Sequence, residues 1–218
     1  ARIVAGATAG EIISGDLNAP VHGVSTDTRT LREGDLFIAL TGPNFDGAEF
    51  IPEALRKGAA GVAAARLPQG CSIPPDRFFV KVASGEAALG DLARHWRSSL
   101  PARVVAVMGS SGKTSTKEML ALAAGESFDA VTATQFNLNN TIGVPQTVFR
   151  MDAGTQIAII EMGMNMPGEM SRLGKIADPD ILVVTHIGRC HIGMFGSQRD
   201  LIRAKAEIGE PIIELADK

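Results

Sequence analysis

The sequence predicts an α/β fold in two units, a small α/β unit followed by a larger unit built on a parallel sheet. The chain has 218 residues, enough for one large or two small domains. Short apolar runs alternate with segments of helical periodicity, a rhythm typical of βαβ units. A proline at position 101 ends a predicted helix and separates the two units. We therefore expect domains at 1–83 and 102–218, joined by a helical linker at 84–101.

In the first unit, turn residues bound the predicted elements. The run 35–40 is apolar and lies between Gly34 and a Thr-Gly-Pro triplet, which indicates a strand. Residues 50–57 are apolar at helical spacing, and Gly58 follows them as a helix-ending glycine. The predicted order is a strand at 35–40, a helix at 50–57, strands at 61–65 and 78–82, and a helix at 85–99.

The second unit begins with the apolar run Val-Val-Ala-Val-Met, which a Gly/Ser loop separates from a helical segment. Later apolar runs of strand length are each followed by a loop or turn and then a helical pattern, as in a parallel sheet covered on both faces. The predicted order is a strand at 103–108, helices at 113–124 and 143–149, a strand at 157–161, a helix at 167–176, a strand at 181–185 and a helix at 198–208.

Composition disfavours several function classes. Lys and Arg number 21 against 24 Asp and Glu, a formal charge of −3, so the chain lacks the surplus of cations that a nucleic-acid coat needs. Aromatic residues make up only 5%, which disfavours a surface for stacking RNA bases. The longest apolar stretches, such as 157–160 and 181–184, are too short for a membrane span. No export signal opens the chain, and we expect a cytoplasmic protein.

Cysteine usage argues for a reducing compartment. Cys71 and Cys190 are far apart and lack CxxC spacing, which disfavours a disulfide scaffold. A zinc alternative would use His186, Cys190 and His191. It lacks a fourth ligand within reach along the chain, and closed structural zinc sites need four.

A phosphate-binding loop is predicted at 109–114, where Gly-Ser-Ser-Gly-Lys-Thr follows a strand and opens a helix. Glycines let successive backbone N–H groups converge on phosphate oxygens, and the helix N-terminus adds partial positive charge. Lys113 would reach the β- and γ-phosphates, and the Thr114 hydroxyl would bind Mg²⁺. The generic eight-residue pattern is not fully met, because Val107 stands at its first glycine position.

Glu161 is the predicted metal-holding acid. It closes an apolar strand, and ligands gather at the carboxyl ends of strands in open α/β sheets. The alternative is a solvated glutamate at a strand end. The methionines that follow it are expected to pack rather than to react.

Several stretches, in this order along the chain, resemble the Mur ligase family. Ser-Thr-Asp-Thr-Arg at 25–29 is similar to a motif of that family's UDP-binding amino-terminal domain. The other matching stretches lie at 34–42, 44–47, 109–114, 137–145, 161–163, 191–197 and 204–208.

Within the family, the Asn-x-Asn-Asn-x-x-Gly-x-Pro segment at 137–145 and the serine at 110 resemble one branch. That branch adds D-alanyl-D-alanine to UDP-N-acetylmuramoyl-tripeptide. The resemblance implies an ATP-dependent, ADP-forming amide ligase of peptidoglycan precursor synthesis, acting through an acyl phosphate. It also implies a UDP-binding domain, a central P-loop ATPase-type domain, and a monomer.

The resemblance implies roles for particular residues. The catalytic set would be Lys113, Glu161, His191 and Lys205. The Mg²⁺ ligands would be Thr114, Glu161, His191 and Lys205, with Lys205 carbamylated. ATP would be bound by Gly109, Ser110, Ser111, Gly112, Lys113, Thr114, Ser115, Asn139 and Asn140. The UDP end of the substrate would be bound by Ser25, Asp27, Thr28, Arg29, Asn44, Asp46 and Gly47.

The chain departs from the family pattern in three ways. Ala48 stands where relatives commonly have His, and His186 where they usually have Asn. The family's third, carboxy-terminal domain is expected beyond residue 218. Adenine contacts and the dipeptide pocket would largely lie there, so the 218 residues alone are expected not to complete ligation.

Two other functions are compatible with parts of this pattern. A folylpolyglutamate-synthase-like ligase would share the ATP site, but the UDP-type motif around Asp27 argues against it. A non-catalytic P-loop module is the other candidate. A GTPase of that kind would need an NKxD-type guanine clamp, which the sequence lacks. A regulatory relative would be expected to lose Lys113, Glu161 or Lys205, yet all three are present.

Overall fold

In the computed structural model, residues 1–186, 188 and 198–209 are described. The chain divides into two compact units, Ala1–Leu92 and Ala93–Lys218. The division falls inside one helix, Gly85–Ser98. His191 and Cys190, which the sequence analysis singled out, lie outside the described residues.

The first unit is a five-stranded sheet with helices. Its elements are α1 (Arg2–Thr8), β1 (Glu11–Gly15), β2 (Gly23–Ser25), β3 (Asp35–Ile38), a hairpin of β4 (Thr41–Gly42) and β5 (Phe45–Asp46), a 3-10 turn (Gly47–Phe50), α2 (Ile51–Arg56), β6 (Gly61–Ala64), β7 (Phe78–Lys81) and the start of α3 (Gly85–Ser98). The strand order of the sheet is β1-β7-β6-β3-β2, in which β1 is antiparallel to β7 and the other neighbours are parallel.

The core of this unit forms around β3 and β6, which are buried along their whole length. Phe37, Ile51 and Val62 are each at most 1% exposed and pack in one cluster. Burial of such a side chain contributes roughly 1.5–3 kcal/mol. The continuous apolar runs that predicted these strands therefore correspond to strands buried on both faces.

The second unit contains a four-stranded parallel sheet with helices. Its elements are the end of α3, β8 (Arg103–Met108), α4 (Lys113–Gly125), β9 (Val131–Ala133), α5 (Gly143–Val148), β10 (Ile157–Met162), α6 (Glu169–Ala177), β11 (Ile181–Val184), α7 (Gln198–Ala206) and a 3-10 turn (Glu207–Gly209). The strand order is β11-β8-β10-β9, and Glu161 of β10 pairs in register with Val107 of β8.

Both faces of this sheet are covered, as predicted. Along β10, side chains alternate between two apolar clusters because successive residues of a strand point to opposite faces. Ile160 packs in the cluster that contains residues of α5, α6 and α7, whereas Ile159 packs in the cluster that α4 covers. Glu161 follows the alternation of Ile159 and therefore faces α4. The metal-acid candidate and the helix after the phosphate loop thus share one face of the sheet.

A buried arginine fastens the end of α3 within the second unit. Arg97 is 7% exposed, and its guanidinium donates to the backbone oxygens of Ala177 (3.0 Å), Asp178 (3.1 Å) and Leu100 (3.2 Å). The carboxylate of Asp180 lies 3.5 Å away. The planar fork of Arg suits several acceptors at once, so one side chain satisfies carbonyls at two chain turns.

The predicted elements are present, with ends that differ by at most two residues, the usual scatter at element termini. Predicted helix 50–57 begins as a 3-10 turn, and only Ile51–Arg56 is α-helical. Of the described residues, none belongs to a helix long and apolar enough to cross a bilayer.

Candidate functional site

The segment between β8 and α4 turns sharply on two glycines. Gly109 has φ +150, and a Cβ there would lie 2.0 Å from the Thr185 hydroxyl oxygen. Gly112 has φ +78 and precedes α4, for which the described residues provide no side-chain cap. The first N–H groups of α4 are therefore free of side-chain partners at the helix N-terminus, an arrangement suited to an anion.

This loop is held in shape by residues that follow β11. The Ser110 amide donates to the His186 carbonyl at 2.6 Å, and the Thr185 hydroxyl donates to the Ser111 carbonyl at 2.6 Å. On the other side, the Gly188 amide donates to the Ser110 hydroxyl at 3.0 Å. Three hydrogen bonds thus join the loop to the residues that follow β11. His186 accepts this bond through its backbone carbonyl, and its side chain is exposed. The hydrogen bond to Ser110 therefore does not depend on whether residue 186 is His or, as in relatives, Asn.

Lys113 lies across the loop that precedes it. Its ammonium donates to the Gly109 carbonyl at 3.0 Å, and the residue is half-buried. Thr114 and Ser115 in the next positions are exposed. Lys113, predicted to contact phosphate, and Thr114, predicted to bind the metal, therefore both lie where the loop meets the N-terminus of α4.

Glu161 is a buried carboxylate with one open oxygen. The residue is 2% exposed. Its Oε1 accepts from the Asn139 side-chain amide at 2.8 Å, and its own amide donates to the Thr134 hydroxyl at 2.9 Å. Its Oε2 has no hydrogen-bond partner among the described residues. Buried polar atoms are normally satisfied, so an oxygen left open fits a cation ligand, and oxygen is the donor that Mg²⁺ prefers.

The two asparagines predicted to bind nucleotide make different contacts. Asn139 orients Glu161 through its side-chain amide. The Gly163 amide donates to the Asn139 carbonyl at 2.8 Å, and the lack of a side chain on Gly163 leaves room for the side chain of Asn139. Asn140 accepts from the amides of Ile142 (3.1 Å) and Gly143 (2.8 Å), which stabilises the start of α5. Neither contact was foreseen from the sequence.

Of the two remaining residues in the predicted metal set, only Lys205 is among the described residues. Lys205 lies in α7 and is 4% exposed. His191 is outside the described residues.

Lys117 was not singled out from the sequence, although it is 2% exposed and its ammonium contacts the Glu118 carboxylate. Its spacing of four residues from Lys113, on the buried side of α4, is the signal that would have drawn attention to it.

In the first unit, the predicted UDP residues follow strands whose carboxyl ends lie at one edge of the sheet. Ser25 ends β2 and is in register with Phe37. Its hydroxyl donates to the Asp27 carbonyl at 2.9 Å. Asp27 accepts the Arg29 guanidinium at 2.6–3.0 Å and the Arg29 amide at 2.9 Å. Thr28 is buried, and its carbonyl accepts from Lys57. The motif is a structured turn that leaves the Arg29 side chain 86% exposed.

The hydrogen bonds from the Arg29 side chain and backbone lower the pKa of Asp27 to about 2. A depressed pKa stabilises the fold above the pKa of about 4 in the unfolded chain, and this contribution is lost as the pH falls toward 2. We expect Asp27→Asn to lower the free energy of unfolding by less than about 1 kcal/mol at pH 7, because the pair is exposed. Urea unfolding at a series of pH values should show the difference shrinking below about pH 4. A constant difference down to pH 2 would contradict the assignment.

The second predicted UDP segment is organised by an arginine that was missed. The Arg66 guanidinium donates to Asp46 at 2.6 Å and to Glu49 at 3.0 Å. The hydrogen bond from the Ala48 amide lowers the pKa of Asp46 most, and the bond from Arg66 lowers it further. Gly47 cannot carry a side chain, since a Cβ would lie 2.4 Å from the Leu40 carbonyl oxygen. Asn44 is exposed in the hairpin turn. Ala48, where relatives commonly have His, is 3% exposed.

Comparisons with known proteins follow the same division of the chain. The family model described as "Mur ligase middle domain" matches residues 107–214, and that described as "Mur ligase family, catalytic domain" matches residues 20–97.

Curated relatives match along most of this chain. The UDP-N-acetylmuramoyl-tripeptide–D-alanyl-D-alanine ligase of Bacillus subtilis is 40% identical over 205 residues, 91% of this chain and 44% of the relative. The enzyme of the same name from Escherichia coli is 38% identical over 201 residues, 91% of this chain and 43% of the relative. The chain therefore spans less than half the length of these relatives.

Solved structures agree. A crystal structure of MurF from Acinetobacter baumannii superposes with a TM-score of 0.84 at 32% identity, over 95% of this chain and 45% of that chain. The MurF ligase from Thermotoga maritima in complex with ADP gives a TM-score of 0.77 at 35% identity, over 90% of this chain and 44% of that chain. Both similarities extend over the two units described above.

Proposed function

This chain belongs to the Mur ligase family, and from that premise we propose that it carries the ATP and UDP-substrate sites of an ATP-dependent ligase. The proposed reaction joins D-alanyl-D-alanine to UDP-N-acetylmuramoyl-tripeptide, the activity in the names of its relatives. The observation that carries the proposal is the buried Glu161 carboxylate with its open Oε2. This carboxylate lies on the face of the sheet that is covered by α4, the helix that follows the phosphate loop.

The reaction brings two anions together. The acceptor carboxylate attacks the γ-phosphorus of ATP, ADP leaves, and an acyl phosphate forms. The amine of the dipeptide then attacks the acyl carbon, phosphate leaves with the bonding electron pair, and the amine loses a proton. Lys113 and the N-terminus of α4 supply positive charge where the phosphates bind, which is how phosphoryl transfer is chiefly accelerated.

The donor set fits Mg²⁺. We propose that Thr114 and Glu161 hold one ion, with Asn139 fixing the orientation of the carboxylate. His191 and a carbamylated Lys205 are proposed for the metal sites by the family resemblance, and the burial of Lys205 is compatible with that role. A bound Mg²⁺ would neutralise charge on the β- and γ-phosphates.

The first unit is proposed to bind the UDP end of the acceptor. Arg29 offers an exposed guanidinium for a phosphate, and the Asp27 turn presents it from a fixed backbone. Ser25 and Thr28 belong to the same turn. Asn44, Asp46 and Gly47 would contribute from the neighbouring hairpin.

A binding experiment tests the proposal. Calorimetry on the 218-residue chain should detect Mg·ADP and UDP-N-acetylmuramoyl-tripeptide separately, and each should raise the unfolding temperature. We propose that these residues bind both ligands without completing ligation, since the chain spans under half of its relatives' length.

The competing functions give different results. Nucleotide binding without any affinity for the UDP precursor would favour a non-catalytic P-loop module. Binding of a folate in place of the UDP precursor would favour a folylpolyglutamate-synthase-like ligase. Phosphate release that depends on D-alanyl-D-alanine would contradict the expectation that these residues do not complete ligation.

A further inference from the structure

Phe136 combines two unfavourable properties. Its side chain is 84% exposed, and its backbone has φ +50, a region that bulky residues rarely adopt. It occupies the first central position of a turn in which the Leu138 amide donates to the Gln135 carbonyl at 3.2 Å. Gly or Asn would suit that position better. Strained residues of this kind cluster at functional sites.

The turn that carries Phe136 is fastened to the predicted metal acid on both sides. Before it, the Thr134 hydroxyl accepts from the Glu161 amide. After it, the Asn139 side chain donates to the Glu161 carboxylate. The backbone of Leu138 also packs closely against Gly143, where a Cβ would lie 2.4 Å from the Leu138 carbonyl carbon. The ring of Phe136 is thus exposed on a turn whose two flanking residues, Thr134 and Asn139, are hydrogen-bonded to Glu161.

The strand order indicates which ligand this ring would meet. In the order β11-β8-β10-β9, the phosphate loop follows β8, Glu161 is in β10 and Phe136 follows β9. Phe136 therefore lies beyond Glu161 as seen from the phosphate loop. If the γ-phosphate is held near Glu161, the attacking group must approach it opposite the leaving ADP. The loop with Phe136 is then on the side of the acceptor, away from the nucleoside.

We propose that Phe136 binds the peptide part of the acceptor, its ring covering aliphatic groups next to the attacking carboxylate. The inference rests on the proposed function and adds a residue that determines acceptor affinity. An exposed ring gains free energy when an aliphatic partner removes it from water. Such a gain explains why a strained and exposed aromatic residue stands here.

Two variants test this role in the 218-residue chain. Phe136→Gly removes the ring and relieves the positive φ, whereas Phe136→Tyr keeps the ring. Calorimetry with UDP-N-acetylmuramoyl-tripeptide should show about tenfold weaker binding for the glycine variant and little change for the tyrosine variant. UDP-N-acetylmuramic acid, which lacks the peptide, should bind all forms equally.

One control separates the loss of the ring from the relief of a positive φ, and a second control excludes misfolding. Ala9→Gly relieves a similar positive φ (+48) at the end of α1 in the other unit and should leave both affinities unchanged. The unfolding temperature of Phe136→Gly should be no lower than that of the unaltered chain.

Four results would overturn the role of Phe136. These are equal tripeptide affinity in the glycine variant, equal weakening of both UDP probes, weakening of Mg·ADP instead, or a lower unfolding temperature that accounts for the loss. Failure of the proposed function is a separate result, because the unaltered chain would then bind Mg·ADP but neither UDP probe, and this inference would fall with it.

Discussion

Replacing Lys113 by Met is expected to weaken the binding of a non-hydrolysable ATP analogue on the order of 100-fold. In the structure the ammonium donates to the Gly109 carbonyl at the mouth of the loop, where the phosphates are proposed to bind. A charge-assisted hydrogen bond contributes about 1.5–3 kcal/mol, and Met keeps the aliphatic length without the charge. Calorimetry at fixed Mg²⁺ and salt would measure the change.

Stability should hardly respond to the same substitution. The bond from Lys113 to a loop carbonyl contributes about 1 kcal/mol or less, so the unfolding midpoint in urea should shift little. Lys175→Met is the matched control, because Lys175 is exposed in the last turn of α6. Undiminished affinity for the analogue in Lys113→Met would remove this lysine from the nucleotide site.

Replacing Glu161 by Gln is expected to abolish the effect of Mg²⁺ on nucleotide affinity. The amide can still accept from Asn139 through its oxygen, so the local packing is kept, but the negative charge and the open Oε2 are lost. For the unaltered chain, the affinity for the ATP analogue should fall by at least about tenfold when EDTA replaces Mg²⁺, since Mg²⁺ is typically held between one or two protein carboxylates and the phosphates of the nucleotide. For the variant, the two affinities should be similar.

The unliganded variant should be at least as stable as the parent. A buried carboxylate oxygen without a partner is costly, and neutralising it removes part of that cost. Functional sites often carry such a trade between stability and activity. Glu126→Gln, at an exposed position after α4, is the control for loss of a charge. A Mg²⁺ effect that persists in Glu161→Gln would show that the ion is held elsewhere.

Much of the fold was predictable because its main strands are apolar on both faces. β3, β8 and β10 read as continuous apolar runs, which is how fully buried parallel strands appear in a sequence. The unpredicted elements are α1, β1, β2, the β4–β5 hairpin and β9. β2 and β9 have three residues each, and β1 is exposed at four of its five positions. Segments so short or so exposed carry no periodic signal.

The site was predictable only where its residues are adjacent in sequence. The phosphate loop carries a local pattern, and Glu161 was found from its place at the end of a strand. The bonds from Asn139 and to Thr134 join residues 22 and 27 positions apart, and no local rule gives such pairs. Arg66 was missed for the same reason, since its partner Asp46 is 20 positions away. The resemblance named Asn139 and Asn140, but only coordinates separate a carboxylate-orienting amide from a helix cap.

The hydrogen bonds that join Thr185 and His186 to the phosphate loop have a consequence for the thermodynamics of nucleotide binding. Ordering a backbone residue costs about 1–2 kcal/mol, and a floppy glycine-serine loop would incur that cost each time a nucleotide arrived. The hydrogen bonds to residues 185 and 186 are expected to order the loop as the sheet forms, so nucleotide affinity should depend on the integrity of β11. Substitutions that destabilise β11, at positions well away from the proposed phosphate site, are therefore expected to weaken nucleotide binding.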